Sequence, residues 1–549
     1  MTDSTTLAGF HGLDVALIIT YLVALSSIGL YFSRRQRSLK EFIRGKSGYG
    51  FLTLGLSLMA ALNSGVDYVQ APALIFGLGV IYLTSIVAWV FIYPWATRVT
   101  IPFYQRLNVY SAYEYLELRF NTGVRLMAAG IFVLWRVGWM GAAIYVPCLA
   151  VNAVTGGQLN MTMMVLVLGV VVTSYTMLGG MQAVVWTDLI QCCVMFTGLA
   201  MTVYVVVDHI PGGVGEVFSL AAQSGHLRLT AAPVGEGLGF WASVKGYFST
   251  EITFAGIVLL ITLSRASSFT ADQVAIQRFQ SAKSLSDTRK MLIVDALAGV
   301  LWIMVLGFVG LALFAYYQHF PFPEGLNNDR VLPYFIGEHF PVGVTGLVIA
   351  AIFAASLSSV DAALNSTASI IVVDFYNRIW LQQRRPVQST PPDIERKQVR
   401  VSRCATIVLG IIMMVIGINI DRMGELYQAV NKILGAFMGP LFGMFFLGMF
   451  SRTARAGGVL LGAALGLSCS CFTSFFPNLP WLQRICGRLF GEEFVAFFQH
   501  LSWQWPSIIG ILVTLFIGLL ASRIIPRPAT SSPALTFREV MKLPPPSTD

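Results

Sequence analysis

Charge is what this chain of 549 residues most lacks: Asp, Glu, Lys and Arg together make up only 11% of it, against roughly 25% in soluble domains. So few charged side chains cannot coat a soluble fold of this size. Histidine is scarce too, with 6 in the whole chain, which leaves little material for a histidine metal centre or proton relay. The 7 cysteines show no zinc spacing. Cys148, Cys192, Cys193, Cys404, Cys469 and Cys471 lie in apolar runs, where cysteine acts as a small buried hydrophobe, and Cys486 falls in a loop. The alternating segments of about ten residues that mark a membrane β-barrel are missing; 163–172 and 407–418 are continuously apolar. No nucleophile–base pair or metal constellation stands out, so the chain is read as neither an enzyme nor a holder of an organic cofactor.

What is abundant is hydrophobic surface, 56% of all residues. Apolar stretches long enough to cross a hydrocarbon core of about 30 Å recur along the chain, and helices satisfy their own backbone there. The expected fold class is an all-α polytopic membrane protein with about 13 spans. These lie near 11–33, 50–76, 77–103, 122–153, 159–179, 182–207, 247–270, 287–318, 342–375, 400–420, 426–451, 455–475 and 503–525. The first has no basic residue before it and a basic cluster after it (Arg34, Arg35, Arg37, Lys40, Arg44, Lys46), so it reads as a retained span and not a cleaved leader.

The net charge of +9 is placed for a bilayer and not for nucleic acid. Basic residues gather in alternate loops: that first cluster; Arg98, Arg106 and Arg119; Arg278, Lys283, Arg289 and Lys290; Arg378 to Arg403; Arg452 with Arg455; and the tail with Arg523, Arg527, Arg538 and Lys542. Positive residues favour the cytoplasmic side, which puts the N-terminus outside and the C-terminus inside a plasma or inner membrane. Residues 379–399 read as a polar linker, and the Pro/Ser-rich stretch after Pro526 as a disordered cytoplasmic tail.

Within the spans, Gly55, 60–65 and 351–359 are rich in small residues. Such runs either let helices pack closely or mark unwound backbone lining an ion site at mid-membrane depth. The segment AAIFAASLSSVDAALNSTASIIVVDFY at 350–376 packs hydroxyls into an apolar span, with Ser358 beside Ser359 and Ala355 one turn earlier. Sodium is a hard cation that takes oxygen ligands, and neutral ones let it leave again. Serines that bond back to their own helix are the plainer alternative.

That segment resembles the ASxxSSxxSxLNSxxTxxxxDxY stretch of the sodium:solute symporter family, which includes sodium–glucose, sodium–proline and sodium–sialic acid cotransporters. GGMQAVVWTDLIQCCVMF at 179–196 is similar to the family's GGxxAVxxTDxxQ signature, and ADQVAIQRFQSAKS at 271–284 and GPLFGMFFLG at 439–448 follow in family order. The resemblance runs from about residue 12 to about 525. It implies a leucine-transporter-type inverted repeat of five plus five helices. The expected division is an extra helix at 11–33, a first repeat at 50–207, a second at 247–451 and further helices at 455–525, all within one transmembrane domain. It also implies a common sodium site between the second and ninth spans, with backbone oxygens of Ala60, Asn63 and Ala355 and hydroxyls of Ser358 and Ser359. Ser64 and Asp188 stand where the family supports sodium coupling.

Asp361 and Ala362 stand where members with a second sodium ion carry serines. Asp361 is therefore expected to act on coupling, as a second-cation ligand, a proton site or the partner of a base. On the solute side, Arg136 resembles the arginine that binds carboxylate in sialic acid members; a structural ion pair or snorkelling is the equal alternative for a charge at that depth. Asp67 and Arg265 replace polar sugar contacts by charges, which favours an acidic or zwitterionic solute. Tyr68, Trp139 and Phe269 either stack on a ring or pack helices. The expected function is sodium-coupled import of a small organic acid, amino acid or sugar by alternating access. The alternatives are proton coupling on the same fold and a solute sensor that does not transport.

Overall fold

A computed structural model describes the chain except residues 1–5, 8–9, 34–47, 108, 231–238, 382–391, 424–425, 526–534 and 544–549. The basic cluster of the first loop, much of the linker at 379–399 and part of the tail thus lie outside the described residues. Apart from a two-residue antiparallel pair ahead of the first span, the described chain is helical. Eleven of its helices are long and apolar enough to cross a bilayer.

Two features bring these to about 13 crossings. Met161–Asp208 is 48 residues long, about 72 Å at helical rise and more than twice the hydrocarbon thickness. Gly180, at φ 54° and ψ −170°, breaks it into the expected fifth and sixth spans. The second span is the other case: Phe51–Leu62 stops at Asn63, and Gly65–Leu78 carries the chain onward.

Gly180 occupies backbone space that a side chain disfavours. Gly180→Ala should therefore cost about 1–3 kcal/mol, read as a lower midpoint of thermal inactivation. Gly130→Ala is the control, because an added Cβ there meets nothing within 4 Å; it should leave the midpoint unchanged or raise it slightly.

The seventh span differs from its expected bounds. Residues 247–249 belong to a separate short helix, Phe240–Ser249, with no buried side chain. The span proper is Phe254–Ala271, interrupted at Asp272 and resumed as Gln273–Ser281. Interrupted helices thus open both halves of the molecule, as the five-plus-five inverted repeat requires.

The ninth span, by contrast, is unbroken. Val344–Ile370 is regular helix that passes into a π-type turn at Ile371–Trp380. Its small residues serve close packing: a Cβ on Gly198 would stand 2.3 Å from that of Ala351. Asp14 of the first span holds its start, accepting the Gly343 and Gly346 amides at 2.8 Å each.

Other expectations are corrected. Arg119, Arg125 and Arg278 are buried, so Arg119 and Arg278 are not loop charges. Arg125 pairs with Asp374 and Glu117, tying the fourth span to the end of the ninth. Cys193 and Cys404 are exposed, and Cys486 is buried in the Pro480–Phe490 helix. Part of the tail is ordered: Phe537–Val540 is helical, Phe537 packs on Phe103 and Phe450, and Tyr115 donates to the Leu535 carbonyl at 3.2 Å.

Candidate functional site

The break in the second span creates the first element of the site. A helix end leaves its last carbonyls without intrahelical partners. The amide of Ser64 would have bonded to the Ala60 carbonyl; instead it donates to Asp67 Oδ2 at 2.8 Å, while Ser64 Oγ accepts from the Val66 amide at 3.1 Å. This reciprocal cap starts the outgoing half-helix and at the same time frees the Ala60 oxygen. Asn63 Nδ2 donates to the Met59 carbonyl at 2.9 Å, the same oxygen that takes the Asn63 amide.

The freed oxygen meets the ninth span. Ser358 Oγ donates to the Ala60 carbonyl at 2.9 Å and the Ala355 carbonyl at 3.0 Å; Ser359 Oγ lies 3.4 Å from each. All four residues are buried. Hard cations of sodium's size hold oxygens at about 2.3–2.6 Å, which sets neighbouring ligands about 3.4 Å apart at right angles. The two Ser359 separations match that spacing, and the two Ser358 separations would open by about 0.4–0.5 Å as its hydroxyl proton turned away from the carbonyls to admit an ion. The ending helix also directs its negative dipole end towards this point.

Asp188 is fully buried. Arg278 of the resumed seventh span donates to it at 2.7 Å, and Ser57 of the second span donates to the same oxygen. Arg278 in turn donates to Ser57 Oγ at 2.9 Å. Asp188 thus joins the second, sixth and seventh spans and does not sit at a helix start. Asp361 is fully buried as well. One of its oxygens lies 3.4 Å from the Thr187 hydroxyl, and the Tyr175 hydroxyl is another polar neighbour.

The remaining candidates surround a cavity of about 130 Å³, whose lining includes Asp67, Gln70, Arg136, Trp139, Arg265 and Asn431. Their charges are unequally committed. Arg136 forms an ion pair with Asp272, the residue that interrupts the seventh span, and its guanidinium lies 4.5 Å from the Trp135 ring centre. Arg265 is only half-buried and donates to Asn63 Oδ1 at 2.7 Å; no carboxylate of the described residues comes within 4.0 Å of it. Of the aromatics, Trp139 faces the cavity. Tyr68 is buried against Trp302 and bonded to Thr202, and Phe269 packs on Trp89 and Phe279.

Sequence reasoning assigned no role to Asp272, Arg278 or Ser57. The first two lie inside the stretch at 271–284 that carried part of the resemblance; Asp272 accepts the Val274 amide at 2.9 Å and caps the resumed helix, a role that no glycine or proline beside it marks in the sequence. Arg278 was hidden by its place after an apolar run, where a basic residue reads as a loop charge.

The profile of the sodium:solute symporter family matches residues 42–466. A sodium/sialic acid symporter of Aliivibrio fischeri is 32% identical over 93% of this chain and 93% of its own length. A sodium-coupled monocarboxylate transporter of Danio rerio is 31% identical over 85% and 72% respectively. A solved structure of a sodium-coupled sialic acid symporter, substrate-bound and outward-open, superposes with a TM-score of 0.77 at 26% identity, covering 94% of this chain and 99% of that one.

Proposed function

The chain belongs to the sodium:solute symporter family, and from that premise we propose that it is a sodium-coupled importer of a short carboxylate. It is a multi-pass membrane protein and a sodium-coupled solute symporter; the solute class, the site residues and the orientation are our reading. In that reading sodium is held by Ala60, Asn63, Ala355, Ser358 and Ser359, with Ser64 shaping the break, and Asp188 and Asp361 acting on coupling. The repeats run over 50–207 and 254–451, the second starting with the seventh span at Phe254, and the N-terminus is outside.

The observation that carries the solute assignment is the unequal state of the two cavity arginines. Arg136 is closed by Asp272, whereas Arg265 keeps its charge towards the cavity with only an amide oxygen attached. A carboxylate can take two parallel hydrogen bonds from such a guanidinium. A cavity of about 130 Å³ suits an acid of a few carbons better than a ligand of drug size, which needs roughly 300–1,000 Å³.

Asn63 supplies a route for coupling. In this reading its main-chain oxygen joins the sodium position, and its side-chain oxygen holds Arg265. An ion that fixes the break also fixes the arginine, and by linkage the bound acid favours the ion to the same degree. No new bond is made; loaded repeats rock and release both ligands.

The test is uptake into proteoliposomes with sodium and proton gradients imposed separately, comparing lactate or pyruvate with a sialic acid. Sodium alone should drive uptake of the short acid. Arg265→Ala should weaken its apparent affinity about 10- to 100-fold, the worth of one charge-assisted contact, and Arg265→Lys should restore part of it. Preference for the sialic acid, or an unaffected Arg265→Ala, would overturn the assignment.

A further inference from the structure

The eighth span carries a carboxylate that the proposed sodium position does not use. Asp295 is 1% exposed, and neither of its oxygens has a hydrogen-bond partner among the described residues. No basic nitrogen of those residues lies within 4.0 Å of it. A bare carboxylate at membrane depth is costly and marks function by default.

Its neighbours fix its place. Met291, Asp295, Gly299 and Trp302 follow one another at helical spacing along one stripe of Leu285–His319. Below it, a Cβ on Gly55 would meet the Val294 side chain at 2.6 Å and the Met291 carbonyl at 2.8 Å; above it, a Cβ on Gly299 would stand 3.6 Å from Asn63 Nδ2. Higher still, Trp302 meets Tyr68 edge-on. Asp295 therefore faces the second span between Gly55 and the helix break.

The cations whose charge reaches it are Arg265 and Arg278, and both are engaged: Arg265 with Asn63, Arg278 with Asp188 and Ser57. Setting aside the closed Arg136–Asp272 pair, four carboxylates (Asp67, Asp188, Asp295 and Asp361) stand against these two guanidiniums. One sodium ion at the break, two residues from Asp361, offsets one excess charge. Another is still missing.

We propose that Asp295 is the anionic ligand of a second sodium position, between the second and eighth spans on the Gly55 side of the break, separate from the position at Ser358 and Ser359. Two carboxylate oxygens, with the carbonyls of Ala61 and Leu62 at the end of Phe51–Leu62, past the last intrahelical partner, offer the hard oxygen donors that such an ion takes. This rests on the symporter reading, in which the cation that neutralises the carboxylate arrives and leaves with each transport cycle.

The experiment is equilibrium binding of radioactive sodium to the purified full chain, with no solute present. Wild type should bind two ions per chain, Asp295→Asn one, and Ser358→Ala/Ser359→Ala one. Should Asp295→Asn fail to fold, Ser358→Ala/Ser359→Ala combined with Asp361→Ala decides, because it removes the other carboxylate beside the first position and leaves Asp295 intact: one retained ion supports the second position, and none overturns it. Wild type that binds a single ion, or Asp295→Asn that still binds two, also overturns it. Wild type that binds no sodium at all would sink the symporter reading itself.

Discussion

Ser358→Ala/Ser359→Ala should raise the sodium concentration for half-maximal uptake by about a hundredfold or more while leaving the protein folded. The two hydroxyls supply half of the four converging oxygens. A hydrogen bond to a charged group is worth about 1.5–3 kcal/mol, and an oxygen held against a bare cation in a dry site is at least comparable. Two such losses correspond to roughly two to four decades in affinity. Folding should survive, because each serine also bonds within its own helix and alanine is a good helix former. The single variants should fall between wild type and the pair, with Ser358→Ala the worse, since its oxygen stands closer to Ala60. Sodium activation curves measured beside thermal inactivation decide the matter; a folded double variant with an unshifted curve removes the ion from this place.

The second large effect concerns stability. Asp188→Leu leaves the Arg278 guanidinium buried and unpaired, which should cost about 3–5 kcal/mol and show as poor yield and a sharply lower inactivation midpoint. Arg278→Leu should do the same to Asp188. The double replacement Asp188→Leu/Arg278→Leu should recover most of the loss, because well-packed apolar residues substitute for buried ion pairs at little cost. Single variants as stable as wild type would contradict the pairing. The double variant also isolates coupling: once it folds, a changed sodium dependence assigns Asp188 a part in transport, and an unchanged one confines it to holding three spans together.

Much of this arrangement is legible in the chain, and the gaps have physical reasons. The adjacent hydroxyls at 358 and 359 are visible because they interrupt an apolar run, and the break near Asn63 because small residues cluster there. The break at Asp272 carries no glycine or proline, so only its capping geometry reveals it. Arg136 announces that a charge in a span needs a partner, but that partner comes from a distant helix through tertiary packing that periodicity does not encode. Asp295 is the only acid beyond the first turn of a helix of 35 residues whose remainder is largely apolar, too slight a signal to stand out. Composition misleads at the tail, where prolines and serines surround the few residues, Phe537 among them, that dock.

The helix bearing Ser358 and Ser359 has almost no contact with lipid, every residue from Val348 to Ile370 being buried within the protein. Ordinary membrane helices show one tolerant face to the hydrocarbon; this one has none to spare, and overpacking is penalised wherever a methyl group is added to a filled space. A saturation scan through this stretch would therefore return inactive clones at most positions, regardless of what each residue touches. Dead transporters will not map the ion pathway by themselves; variants partially rescued by excess salt will.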